Sequence, residues 1–259
     1  MNKYIDYSVI LPTFNEAGHI ERLIKDISNI FFNLSIKHEI IVIDDQSTDG
    51  TIEIVQKLRN SYENINIHVR ENKKNSLVES LQLGIDISKY KKIIWLDADF
   101  SHPPNYINEF IKINNSNNFD VIVCSRFLKD SLRYYDKDKV KPKNIDRLSH
   151  TLNKICQILI NKDFKDYTSG YICIDKDSLK NKKLKGYYGD YFILLITYLI
   201  SENKKICEIP YIEEDRASGI SKTTGNKIDF FIKCFYYLFC ILKSFFIYNY
   251  RSILTKLKK

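Results

Sequence analysis

Short apolar runs alternate with helical patterns through the first half of this chain, and that alternation limits the folds open to it more than any other feature. Residues 8–11, 39–43, 65–69, 93–96 and 120–124 read as strands. Between them, a helix opening near Glu16 carries Ile20, Leu23, Ile24 and Ile27 at helical spacing. A second helix runs to about Leu58, a third covers 76–88, and a fourth spans roughly 104–113. Strands alternating with helices require right-handed crossovers, hence an α/β fold with a mostly parallel sheet flanked by helices. At 259 residues the chain can bury one substantial core plus one appended element.

After Arg126 the pattern breaks. Residues 129–144 are charged and aromatic without an apolar period, and read as a loop over the site. A helix over 146–160, the segment 166–171, an amphipathic helix over 190–200 and a strand over 205–210 follow. Residues 213–225 are polar and contain Gly219 and Gly225, and 227–250 form a strongly apolar, aromatic last helix. The natural division is a main domain over 1–222 and a basic helix and tail over 223–259.

Charge separates the two. The net charge is +8, and from Lys222 to Lys259 eight basic residues face the single acid Asp229, so +7 lies in that stretch, beginning at the last residue of the main domain. A helix over 227–250 is about 36 Å long, against a hydrocarbon core of about 30 Å. Crossing would bury Lys243, so lying in the interface of an anionic leaflet fits better. A buried core or dimer helix is the other reading, and a homo-oligomer stays open. Basic residues interleaved with an apolar run, on a nearly neutral main domain, argue against nucleic acid. The six cysteines are scattered with no Cys-x-x-Cys, and the first residues lead into a strand without an apolar signal segment. Together these point to a reducing compartment, on the cytoplasmic face of a membrane.

The chemistry gathers at strand ends. Trp95-Leu96-Asp97-Ala98-Asp99 ends an apolar strand with two carboxylates one residue apart, at the crevice where open α/β sheets bind ligands. Such a pair suits Mg²⁺ or Mn²⁺; the alternative is that both residues cap the helix after Pro103-Pro104. Pro12-Thr13-Phe14-Asn15-Glu16 and Asp44-Asp45 end the first two strands. There is no Gly-x-Gly-x-x-Gly after strand one, so a pyrophosphate here would need a metal and Arg or Lys to balance it. Asp45 could accept from base N–H groups and Phe14 offers a flat face, although Asp44, Asp45 and Asp49 also suit turns and caps.

Pro-Thr-Phe-Asn-Glu, Ile-Asp-Asp-Gln-Ser-Thr-Asp-Gly-Thr and Asp-Ala-Asp-Phe-Ser-His-Pro-Pro resemble the GT-A nucleotide-sugar transferases of glycosyltransferase family 2. Ser125-Arg126-Phe127, Arg147, residues 166–171, Glu208-Ile209-Pro210 and 216–222 narrow the resemblance to polyprenyl-phosphate (dolichyl-phosphate) mannosyl- and glucosyltransferases. The resemblance implies a GT-A, Rossmann-like fold and a metal-dependent, inverting transfer of mannose or glucose from a GDP- or UDP-sugar to a lipid phosphate. By position it implies that Pro12, Phe14, Glu16, Ile43 and Asp45 hold the nucleoside, with Ala98 beside the ribose. Asp97, Asp99 and Ser101 would hold the metal, Arg126, Arg216 and Lys222 would clamp the donor diphosphate, and Arg147 with Ser169 would meet the acceptor phosphate.

A phosphate monoester is largely dianionic at neutral pH, so as acceptor it needs positioning but no general base. The alternative is a soluble family 2 enzyme acting on a carbohydrate hydroxyl, for which Asp166 is the nearest carboxylate base.

Overall fold

The structure is a computed structural model and describes residues 5–71, 73–129, 131, 143–214 and 227–257. Seven strands form one sheet: β1 (Tyr7–Thr13), β2 (His38–Asp44), β3 (Ile65–Val69), β4 (Lys92–Trp95), β5 (Val121–Ser125), β6 (Ile172–Asp175) and β7 (Ile206–Pro210). Their order is β3-β2-β1-β4-β6-β5-β7. All pairings are parallel except those of β6, which runs antiparallel to both β4 and β5. The mostly parallel α/β sheet is as expected; β6 is an addition that the apolar pattern did not supply.

The helices α1 (Ile20–Asn33), α2 (Thr51–Ser61), α3 (Leu77–Ile87), α4 (Ile107–Ser116), α5 (Lys143–Leu159), α6 (Tyr191–Ser201) and α7 (Lys227–Leu257) cover both faces. Alternation along each strand feeds two cores. Val9, Leu11, Ile40, Val42 and Ile94 join Ile20, Leu23, Ile24, Val55 and Phe110 on one face. Ile10, Ile41, Ile43, Ile93 and Trp95 join Val78, Leu81, Phe192 and Ile196 on the other. Helix α3 approaches the sheet closely at Gly84, where a Cβ would come within 2.5 Å of Ile10, so a larger residue would force the layers apart.

Helix α1 begins at Ile20, later than expected, because residues 16–19 form a turn. A short 3-10 turn, Pro104–Tyr106, precedes α4. The largest departures lie in the last third. Helix α6 is not amphipathic in place: Tyr191 to Thr197 and Leu199 are all buried. The reason is α7, which packs along α6 and buries Cys240, Ile241 and Ser244. Arg251 then fastens α7, donating to Glu202 at 2.9 Å and lying 5.0 Å from the Tyr198 ring. Helix α7 runs seven residues beyond the expected end. Its other face leaves Phe235, Leu238, Phe239, Leu242, Phe246, Tyr250 and Ile253 exposed.

All six cysteines are free thiols, four of them buried. Among the described residues no helix is long and apolar enough to cross a membrane.

Candidate active site

The carboxyl ends of β1, β2 and β4 open onto one cleft of about 480 Å³. Each of these strands is followed by a non-glycine residue in the left-handed region: Asn15 (φ 58°), Gln46 (φ 63°) and Phe100 (φ 63°). Asn tolerates this conformation and a bulky Phe does not, so Phe100 marks a turn held by its surroundings. Its buried ring sits under the Arg22 guanidinium, 4.9 Å from the centroid. That anchors the chain where it reverses after Asp99.

Asp44 and Asp45 are adjacent and do different work. Asp44 is fully buried and accepts from Ser47 N–H (2.7 Å), Ser47 Oγ (2.6 Å) and Thr13 Oγ1 (2.9 Å), so it is a turn residue. Asp49 is likewise a turn residue, accepting from Ala17 N–H and from both N–H and Oγ1 of Thr51. Asp45 lines the cleft while its carboxylate is held from behind. Oδ1 accepts from Arg70 (2.5 Å) and Ser80 Oγ (2.8 Å), and Oδ2 accepts from Ser76 N–H (2.6 Å). Arg70 is nearly sealed from solvent and also pairs with Glu79. Two carboxylate oxygens offer about four acceptor positions, so three bonds leave room for one ligand donor.

Asp97 is half-buried and Asp99 buried, and both line the cleft. Asp99 Oδ1 accepts from the Ser101 amide (3.0 Å) and hydroxyl (2.6 Å), which fixes the carboxylate. The Asp97 amide donates to His102 Nδ1 at 3.0 Å, so the proton of this buried imidazole sits on Nε2. The ring stacks on Tyr171, 5.1 Å between centroids. Among the described residues no group of three or more His, Cys, Asp or Glu is arranged to hold a metal. The donor set that is present, two hard carboxylates at the edge of an open cleft, fits a divalent cation that completes its shell with water and substrate oxygens.

Across the cleft lies Arg126. Its Nε and Nη2 donate to the two oxygens of Asp166 at 2.8 and 2.9 Å, Nη2 also reaches Thr168 Oγ1 at 2.8 Å, and Nη1 lies 3.4 Å from Glu213. Burial opposes the charge, but Asp166 and Glu213 outweigh it and hold the guanidinium firmly protonated. Asp166 is fully buried and does not line the cleft. It is the counter-ion of Arg126, which corrects the expectation of Asp166 as a base. Behind it, Glu208 accepts from the amides of Lys165 (2.8 Å) and Asp166 (3.0 Å), and burial pushes its carboxyl up to about 7. Helix α5 holds the same loop: Asn153 accepts from Tyr167 N–H at 2.6 Å and donates to Thr168 Oγ1 at 2.9 Å.

The remaining wall is aromatic. Tyr187, Tyr188, Tyr191, Lys233 and Tyr237 line it together with Gly189. The Tyr191 hydroxyl accepts from Trp95 Nε1 at 3.1 Å, and its own ionisation is suppressed by burial and by Asp97.

Of the residues expected at the site, Pro12, Phe14, Glu16, Asp45, Asp97, Ala98, Asp99, Arg126 and Ser169 line this one cleft. Ile43 does not: it is wholly buried in the core beneath. Ser101 acts through Asp99, and the Ser169 hydroxyl donates to the Cys124 carbonyl while accepting from Tyr171 N–H, so it is spent on the loop. Arg147 lies on α5 with its side chain outside the described residues, as are Arg216 and Lys222 altogether. Arg70, Thr168, Tyr188, Lys233 and Tyr237 were not expected. Arg70 had a signal, since it follows β3 beside Asp45 in the register of β2 and β3. Lys233 and Tyr237 had none, because they arrive from the far end of the chain.

Residues 8–181 match the family Glycosyl transferase family 2. A dolichol-phosphate mannosyltransferase of Pyrococcus furiosus is 29% identical over 235 residues, 89% of this chain, and the chain spans 63% of that relative's length. A dolichol-phosphate mannosyltransferase of Saccharomyces cerevisiae is 25% identical over 86% of this chain and 83% of its own. Among solved structures, glucosyl-3-phosphoglycerate synthase of Mycobacterium tuberculosis with Mn²⁺, UDP-glucose and phosphoglyceric acid superposes with TM-score 0.68. The identity is 16%, covering 93% of this chain and 80% of that one, and the likeness is one of fold.

Proposed function

The chain belongs to glycosyltransferase family 2, and from that premise we propose that it transfers a hexose, mannose or glucose, from a GDP- or UDP-sugar to a polyprenyl or dolichyl phosphate with inversion. The observation that carries this reading is α7, which walls the cleft with Lys233 and Tyr237 while its outer face exposes large apolar side chains. The names of the relatives support the same acceptor class.

Phe14 and Asp45 orient the nucleoside, and Ala98 leaves space beside them for the ribose. Asp97 and Asp99 would hold Mg²⁺ or Mn²⁺, which when bound balances the charge of the donor diphosphate. Arg126, kept protonated by its two carboxylates, adds positive charge at the same cleft, and Arg216, Lys222 and Arg147 are assigned to the phosphates through the family resemblance alone. The aromatic wall excludes water from the anomeric carbon, which suppresses hydrolysis of the donor. The acceptor phosphate is already dianionic, so what the protein contributes is alignment for in-line attack.

In this reading residues 223–259 attach the main domain, 1–222, to an anionic leaflet at the cytoplasmic face, as a peripheral contact. The exposed stripe of α7 supplies apolar area and the basic residues of the segment supply charge.

A second reading, transfer to a carbohydrate hydroxyl, needs a base, and Glu213 is the carboxylate on this side that lines the cleft. Transfer of labelled sugar from a panel of GDP- and UDP-sugars with Mn²⁺, with and without a short polyprenyl phosphate, separates the two. Lipid-phosphate-dependent transfer from one donor is expected. Transfer to oligosaccharide alone, abolished by Glu213→Gln, would replace the first reading with the second.

A further inference from the structure

Three residues of α7 meet the loop 187–189 on one helical face, at spacings of three and four. Lys233 Nζ lies 4.9 Å from the Tyr188 ring centroid, and the Tyr236 ring packs tilted against Tyr187, 4.3 Å between centroids. Tyr237 Oη is so close to Gly189 that a Cβ there would come within 2.6 Å of it. Lys233 and Tyr237 therefore belong to the cleft wall as much as to the helix.

Lys233 is the one lysine among the described lining residues. The other strong cation lining it, Arg126, pairs with Asp166 and Glu213 on the opposite side. A lysine ammonium is a point charge on a flexible four-carbon stem, a form suited to a phosphate. On the same helix the exposed stripe starts at Ile232, next to Lys233, and continues through Phe235 and Phe239 on the opposite face. One helix diameter, about 10 Å, thus separates the apolar surface from the cleft.

We propose that Lys233 is a contact for the acceptor's phosphate monoester, carried by the element that faces the lipid, with Tyr188 and Tyr237 framing it. This rests on the lipid-phosphate reading above and deepens it, by naming an acceptor residue on α7. A helix that both docks on the surface and holds the phosphate ties acceptor capture to membrane contact.

The test is calorimetric binding of farnesyl phosphate in detergent micelles, beside binding of GDP and UDP with Mn²⁺, for the full chain and for Lys233→Gln and Lys233→Arg. Loss of a hydrogen bond to a charged group corresponds to about 10- to 100-fold. Lys233→Gln is therefore expected to weaken farnesyl phosphate at least tenfold and nucleotide less than twofold, and Lys233→Arg to restore most of the affinity. Unchanged farnesyl phosphate binding in Lys233→Gln overturns the inference and leaves the proposed function standing. Equal loss of nucleotide and lipid phosphate also overturns it, since that pattern reports a general distortion. Failure of the unaltered protein to bind farnesyl phosphate overturns the function reading and the inference together. Glycerol 3-phosphate serves as the soluble control: Lys233-dependent binding of equal strength would overturn the lipid part.

Discussion

The two ends of the cleft are built by different means. At the proposed nucleoside end, side chains are fixed by short hydrogen bonds between neighbouring strand ends, with Asp44 and Asp45 each accepting three. At the far end, rings and one lysine are held by packing between α7 and a loop more than 40 residues away. Dense polar networks fix side chains in one geometry, whereas apolar packing is non-directional. The contrast suits a donor of fixed shape at one end and a long, flexible acceptor at the other.

Asp99 stands between the ends, so its loss should have the largest effect. Asp99→Asn keeps the size and removes the charge; kcat/KM for sugar transfer is expected to fall about 100-fold or more, with thermal stability little changed. Activity within a few-fold of the unaltered protein would detach the carboxylate pair from the chemistry.

Two buried arginine–carboxylate pairs then compare the two sides of the cleft. Asp166→Ala removes the two-pronged partner of Arg126 and leaves it only the Glu213 carboxylate, at 3.4 Å, so it should cost about 3–5 kcal/mol in urea unfolding. Asp45→Ala should cost less, about 1–3 kcal/mol, because Arg70 keeps Glu79. Equal costs would erase the distinction drawn between the two pairs.

Glu208 gives a pH signature at the Arg126 side. Its carboxyl is raised from 4.5 to about 7 by burial, so between those values the folded state holds a proton that the unfolded state has released. Stability from this group is therefore fully present below pH 4.5 and falls as pH rises to about 7, by on the order of 1–3 kcal/mol in all. Tm of Glu208→Gln relative to the unaltered protein should be more favourable at pH 8 than at pH 5. A pH-independent difference would contradict the raised value.

The smallest effect concerns the outer face of α7. Because the inner face buries Cys240 and Ile241, truncation would expose core, and point changes are the cleaner probe. Phe239→Glu with Phe246→Glu is expected to reduce partition onto anionic vesicles about tenfold or more at unchanged Tm. Undiminished partition would assign the surface contact elsewhere.

The strand-end side of the cleft was the more legible in sequence because its parts are local. Each strand run leads into its own loop, so Pro12, Phe14, Asp45, Asp97 and Asp99 could be placed together from the crossover rule alone. Strand β6 escaped because it is four residues long and inserts antiparallel, against the rhythm of its neighbours. Helix α6 read as amphipathic because the sequence pattern carries no notice that α7 would cover it. Ile43 and Asp166 show a third limit: position beside a motif does not reveal whether a side chain faces the cleft or the core. The proposed acceptor end depends on contacts such as Tyr187 with Tyr236, which no short-range pattern encodes.

The most direct test of the two-ended cleft is photo-crosslinking with a short polyprenyl phosphate bearing a benzophenone, followed by peptide mapping. The account predicts adducts within 187–191 and 232–239, competed by unlabelled farnesyl phosphate. Adducts at the strand ends, within 12–16 or 44–47, would contradict it. So would adducts at the separate lysine-lined cleft around Lys176, Lys180, Lys182 and Lys183.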